Sequence, residues 1–287
     1  MKNTIYAFAL SVAVLCACSR TTDNEPLNAI EFNIGFPATK ATSTAFEDGD
    51  AFSLYAVEWQ GDVQVPLQVS GNYINNEKIV YNGTDWTPMT RSLYWSDNPC
   101  DFYAIYPYQD DISSISAYPF DLFTEQNDGG YEASDLLFAS AQKVSRESGA
   151  VSLQFKHMMS KLVVQLIKGE NFDGDIPDDV VTHIYNTTTS CQVNCELGTL
   201  EKQPFGEKRT ITMKKMSNDM FEAIIIPQHI EKRTPLVEIT MGGIAYLLET
   251  SLSFRPGFVH TINITLNTSP DQEQIDISIS PGVDDWD

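Results

Sequence analysis

Short runs of β-branched and aromatic residues, each closed by a turn signal, set the strongest limit on what this chain can fold into. They include Phe52–Val57 (FSLYAV), Phe102–Tyr106, Val151–Phe155, Leu162–Ile167, Val237–Thr240, Ile244–Leu248 and Phe258–Leu266. Between such runs stand Glu47-Asp48-Gly49-Asp50, Asn82-Gly83, Asp128-Gly129-Gly130 and Gly242-Gly243, which are residues that supply turn dihedrals at low cost. No long segment keeps a helical apolar period, so the spacing predicts an all-β protein of sandwich type.

The ends of the chain read differently. Met1-Lys2-Asn3 followed by the apolar Ile5–Leu15 and the small-residue stretch Leu15-Cys16-Ala17-Cys18 has the form of an export signal, too short to span a bilayer as a helix. Leu-x-Ala-Cys resembles a bacterial lipobox, which makes Cys18 the expected acylation site; Cys16 does not fit, because Leu15 would occupy the position that calls for a small residue. Residues 1–17 are therefore read as a lipoprotein signal peptide and 18–28 as a polar tether with too few apolar residues to pack. The strand Val151–Phe155 closes a first series and Leu162 opens a second. The expected division is thus an N-terminal β-sandwich over 29–155 and a C-terminal one over 156–287.

Charge and motif content narrow the function. A formal charge of −21 repels nucleic acid and anionic surfaces, so nucleic acid is not an expected partner. After Cys18 only Cys100, Cys191 and Cys195 remain, too few and too spread for a disulfide framework. The histidines His157, His183, His229 and His260 form no zinc spacing, and there is no nucleophile elbow or phosphate loop. His157 is read as a buried residue bonded to backbone, and Cys191 with a histidine has no cysteine-protease signature around it. Asn171, Asp173 and Asp175 open like a calcium loop, but Ile176 stands where the turn glycine belongs and Thr182 where the closing glutamate belongs. No cofactor, metal site or enzymatic activity is expected. Exposed aromatics around Tyr94-Trp95, with Trp59 and Trp86, leave a second possibility, a glycan-binding surface lipoprotein.

Ile30–Ser43 (IEFNIGFPATKATS) raises a separate question. Ile30, Phe32, Ile34 and Phe36 alternate as a half-buried strand does, and the pattern then breaks into small polar residues around Lys40, an open target for a trypsin-like protease. The order Phe36, Thr39-Lys40-Ala41-Thr42, Phe46-x-x-Gly49-Asp50-x-Phe52-x-Leu54-Tyr55, Tyr94-Trp95, Asp101–Pro107, Asp135-Leu136-Leu137, Leu153-x-Phe155-x-His157–Leu162 and Pro256-Gly257 before His260-Thr261-Ile262 resembles the fimbrillin-like family of Bacteroidota, lipoproteins of the type V pilus class.

The resemblance implies two transthyretin-like sandwiches and an acylated precursor exported to the surface of the outer membrane. It further implies a protease that cuts after Lys40, leaving Ala41 as the new N-terminus. The strand of Ile30, Phe32, Ile34 and Phe36 would leave, and a neighbouring subunit's strand would fill the groove, so that the processed protein ends in a fimbrium and acts in adhesion. Ile275, Ile277 and Ile279 alternate as a donor strand would; by the residues alone, the same segment could equally close its own sheet. The expected partners are other fimbrial subunits, the outer membrane through the lipid, and a host or bacterial surface receptor.

Overall fold

Two of the longest apolar runs, around Phe52–Val57 and Phe102–Tyr106, do not alternate with polar residues, because they are neighbouring central strands of a sheet covered on both faces. The computed structural model describes residues 29–35, 46–268 and 277–286. Its first half forms β1 (Phe32–Gly35), β2 (Ala51–Glu58), β3 (Ile74–Tyr81), β4 (Trp86–Pro88), β5 (Cys100–Tyr106), β6 (Tyr118–Asp121), β7 (Leu137–Val144), β8 (Val151–Gln154) and β9 (Lys156–His157).

The main sheet of this half has the order β4-β3-β2-β5-β7-β9. Side chains alternate faces along a strand. Phe52, Leu54, Ala56, Phe102, Ala104 and Tyr106 thus enter one core together with Ile30, Val151, Leu153 and Phe155. Tyr55, Val57, Tyr103 and Ile105 enter a second, larger one.

The second half forms β10 (Ser160–Asn171), β11 (Val181–Ile184), β12 (Ser190–Asn194), β13 (Thr199–Lys202), β14 (Ile211–Thr212), β15 (Lys214–Lys215), β16 (Met220–Ile225), β17 (His229–Ile230), β18 (Pro235–Met241), β19 (Ile244–Glu249), β20 (Leu252–Ser253), β21 (Phe258–Thr268) and β22 (Ile277–Asp285). One sheet has the order β15-β16-β10-β21-β22 and another β14-β11-β18-β19, with the pair β17-β20 beside them. In β10, Leu162, Val164 and Leu166 are buried while Val163 and Gln165 are half-exposed, the signature of a strand with one face on the core.

Sheet membership changes between His157 and Ser160, but the packing does not. The larger core runs from Tyr55 to Trp286, and β6 of the first half pairs with β12 of the second in the sheet β13-β12-β6. The α-helix among the described residues, α1 (Tyr131–Ala133), sits at this junction. The Tyr131 hydroxyl donates to Glu222 Oε2 at 2.5 Å, and Lys161 Nζ lies 2.7 Å from the same oxygen, so a buried carboxylate is both bonded and neutralised. Nearby, the Gln126 amide donates to the Ile224 carbonyl and accepts from the Ile224 N–H. Among the described residues no helix is long and apolar enough to cross a membrane.

Candidate functional site

The segment 29–35 lies on the smaller core as a short added strand. Ile30 is 7% exposed, and Phe32 and Ile34 pack half-buried against the same cluster, with Glu31 and Asn33 outward. The alternation that marks this stretch in the sequence is therefore the alternation between core and solvent. Burying one large aliphatic side chain fully is worth about 1.5 to 3 kcal/mol, so this contact is substantial for so short an element.

Its backbone is held on two sides. Phe32–Gly35 pairs in parallel with Val151–Gln154; the Val151 N–H donates to the Glu31 carbonyl at 2.8 Å and the Phe155 N–H to the Gly35 carbonyl at 3.1 Å. On the other side the Ile30 N–H donates to the Leu93 carbonyl at 2.9 Å, and Ala29 forms an antiparallel bridge with Tyr94. Together β8, the Leu93–Tyr94 segment and the apolar floor of Phe52, Leu54 and Phe155 make a seat one strand wide. Its first described neighbour downstream, Phe46, is pinned separately. The Phe46 ring meets Trp86 at 4.7 Å, Tyr106 at 5.5 Å and Phe155 at 6.0 Å, all edge to face, a favoured aromatic geometry. Phe36, Lys40, Ala41 and Cys18 lie outside the described residues, as do the signal and tether segments.

At the other end of the chain, β22 pairs antiparallel with β21 through nine register pairs from Leu266↔Ile277 to Phe258↔Asp285. Ile277 and Ile279 are part of that ladder, and Ile275 lies outside the described residues. Trp286, which the sequence reading passed over, is 1% exposed and stacks on His157 with ring centroids 3.7 Å apart and planes 8° apart. His157 is held in turn by Asp135, Nδ1 to Oδ1 2.8 Å. Sequence offered one signal for this contact, an aromatic residue close after an alternating strand.

The other residues singled out for chemistry sit in structural settings. Burial pushes the thiols of Cys100, Cys191 and Cys195 up to about 12, and a buried protonated thiol is a poor nucleophile. In the acidic loop, Lys168 Nζ donates to the Gly174 carbonyl at 2.9 Å and lies 3.4 Å from Asp175, and Lys215 Nζ donates to the Asp178 carbonyl at 2.6 Å. Among the described residues no three His, Cys, Asp or Glu side chains are grouped as a metal site needs. Trp86 packs against Phe52 and Tyr81, Trp95 against Phe102, and Trp59 Nε1 donates to Asp101 at 2.8 Å. Tyr94 remains 40% exposed, beside a groove of about 410 Å³ lined by Tyr73, Ile74 and Arg91–Tyr94.

Against known proteins, a family model described as fimbrillin-like matches residues 39–286. A Bacteroides ovatus protein whose curated name describes it as a fimbrium tip subunit, Fim1C, is 32% identical over 159 residues, a match spanning 50% of this chain and 27% of that protein. The chain thus covers about a quarter of that relative's length. A crystal structure described as a cell adhesion protein from Bacteroides uniformis superposes with a TM-score of 0.68 at 21% identity, covering 91% of this chain and 99% of that one. A fimbrial protein from Bacteroides ovatus gives 0.54 at 19% identity, over 85% of this chain and 50% of that one. At these identities the structural likeness concerns the fold.

Proposed function

The chain belongs to the fimbrillin-like family, and from that premise we propose that it is a non-enzymatic fimbrial subunit of the outer-membrane surface, assembled by protease-triggered strand exchange. In this reading Cys18 carries the lipid and cleavage between Lys40 and Ala41 frees the segment that contains β1. A strand of a neighbouring subunit then takes the vacated seat. The segment around Ile275, Ile277 and Ile279 alternates either as a donor strand or as a strand that closes its own sheet, and a surface receptor is the expected partner of the finished fibre.

The observation that carries the reading is the way β1 is held. Ile30–Gly35 fills an apolar seat by short backbone pairing at its two sides, and Lys40 lies in the link between it and the separately anchored Phe46. Losing β1 would expose apolar floor and bare strand edge to water, a cost that an incoming alternating strand removes. The test is mass spectrometry of the N-terminus of the surface protein together with limited digestion of the precursor. An acylated Cys18 form and an Ala41 form are expected; a surface protein that retains residues 29–40 after processing overturns the proposal.

One observation favours a second activity at the same surface. The groove beside Tyr94 combines two tyrosine rings with Arg91, a side-chain set suited to a sugar. Glycan-array binding that Tyr94→Ala abolishes, with the fold intact, would establish it.

A further inference from the structure

A donor strand has to leave its own sheet, and the end of this chain is fastened at several points. The β22 ladder is complete along nine pairs with β21, and the Trp286 N–H donates to the Gly257 carbonyl at 2.9 Å. The Trp286 ring then reaches beyond its own sheet to lie flat on His157, a residue of β9 in the first-half sheet, whose imidazole is fixed by Asp135. Extraction of β22 would break the ladder, expose a fully buried indole and uncover a buried His–Asp pair. Each of these steps opposes it.

The strand also suits an outer position. It stands at the end of its sheet, and midway along it Pro281 pairs opposite Ile262. Proline has no N–H to donate and is tolerated on edge strands rather than between two partners. Donation of β22 as a whole strand, from Ile277 onward, would draw out Trp286 with it.

We infer that Trp286 is a latch that keeps β22 in its own sheet, so that this subunit receives a strand and does not give one. The inference rests on the strand-exchange reading above. It places the chain at an end of a fibre, where its seat takes the alternating apolar strand of one neighbour and its own β22 stays in its sheet.

The test uses the full chain cut after Lys40, with a labelled synthetic peptide AIEFNIGF copying residues 29–36 as the strand probe. Retention of the peptide by cut wild type and cut Trp286→Ala alike is expected, with wild type remaining monomeric by light scattering and Trp286→Ala forming multimers. Trp286→Phe, which keeps a stacking ring, stays monomeric; Trp286→Leu replaces Trp286→Ala if the latter does not fold. Multimers from cut wild type, or a monomeric Trp286→Ala that does take up peptide, overturn the latch. Failure of both proteins to take up peptide sinks the strand-exchange reading instead. Hydrogen exchange on the uncut chain then reads the latch alone: β22 amides exchange about tenfold or more faster in Trp286→Ala than in wild type, and equal rates overturn it.

Discussion

The backbone N–H of Val151 donates to the carbonyl of Glu31 at 2.8 Å and opens a parallel ladder between two segments that are far apart in the chain. The geometry has a consequence for stability. Because β1 pairs with β8 only along Phe32–Gly35, most of its hold comes from the side chains it buries, Ile30 first. Ile30→Ala should therefore lower the stability of the uncut protein by about 2 to 4 kcal/mol in urea unfolding and speed protease access to the following link.

Phe46 gives the matching control. It lies on the body's side of Lys40 and meets three aromatic rings. Phe46→Ala is expected to cost on the order of 2 kcal/mol, less than a fully buried phenylalanine because the ring is half-exposed. The loss should be the same before and after cleavage, whereas Ile30 can matter only while β1 is present. Paired urea curves on cut and uncut protein check both.

The ion pair between Lys161 and Glu222, 2.7 Å apart and nearly buried, predicts a non-additive pair of substitutions. Lys161→Met leaves the buried Glu222 carboxylate with the Tyr131 hydroxyl but without its counter-charge, and should cost about 3 to 5 kcal/mol. Adding Glu222→Gln removes the stranded charge and keeps an acceptor for Tyr131, so the double variant should recover much of the loss. A double-mutant cycle in denaturant measures it.

Alkaline pH should weaken the fold through its buried thiols. Burial raises Cys100, Cys191 and Cys195 to about 12, and burial followed by Asp101 does the same for Tyr103. These groups bind protons more tightly folded than unfolded, so their contribution is complete below the unfolded thiol pKa of about 8.5 and is lost as pH rises through the folded value. Unfolding free energy should fall steadily from about pH 9 toward pH 12. At pH 8 an alkylating reagent should leave all three thiols unmodified until denaturant is added.

Strand identity was legible from local pattern. Ile30, Phe32 and Ile34 alternate because a strand places successive side chains on opposite faces, and Phe52–Val57 is apolar at every position but Ser53 because both its faces are covered. Leu162, Val164 and Leu166 show the one-sided version of the same rule. The burial of His157 was also read from the residues around it, while the side chains it meets, Asp135 and Trp286, were not.

What no local pattern could carry is pairing, because backbone N–H and C=O groups are the same in every residue and accept any strand that arrives in register. The parallel match of Phe32 with Val151, the bridging of the two halves by β6 and β12, and the flat contact of Trp286 on His157 depend on where distant segments come to rest. The sequence by itself determined that the chain would be built of short strands and which side chains they would bury. The tertiary structure decided which strand fills the seat beside β8 and what holds the last strand in its sheet, since both are settled by long-range packing.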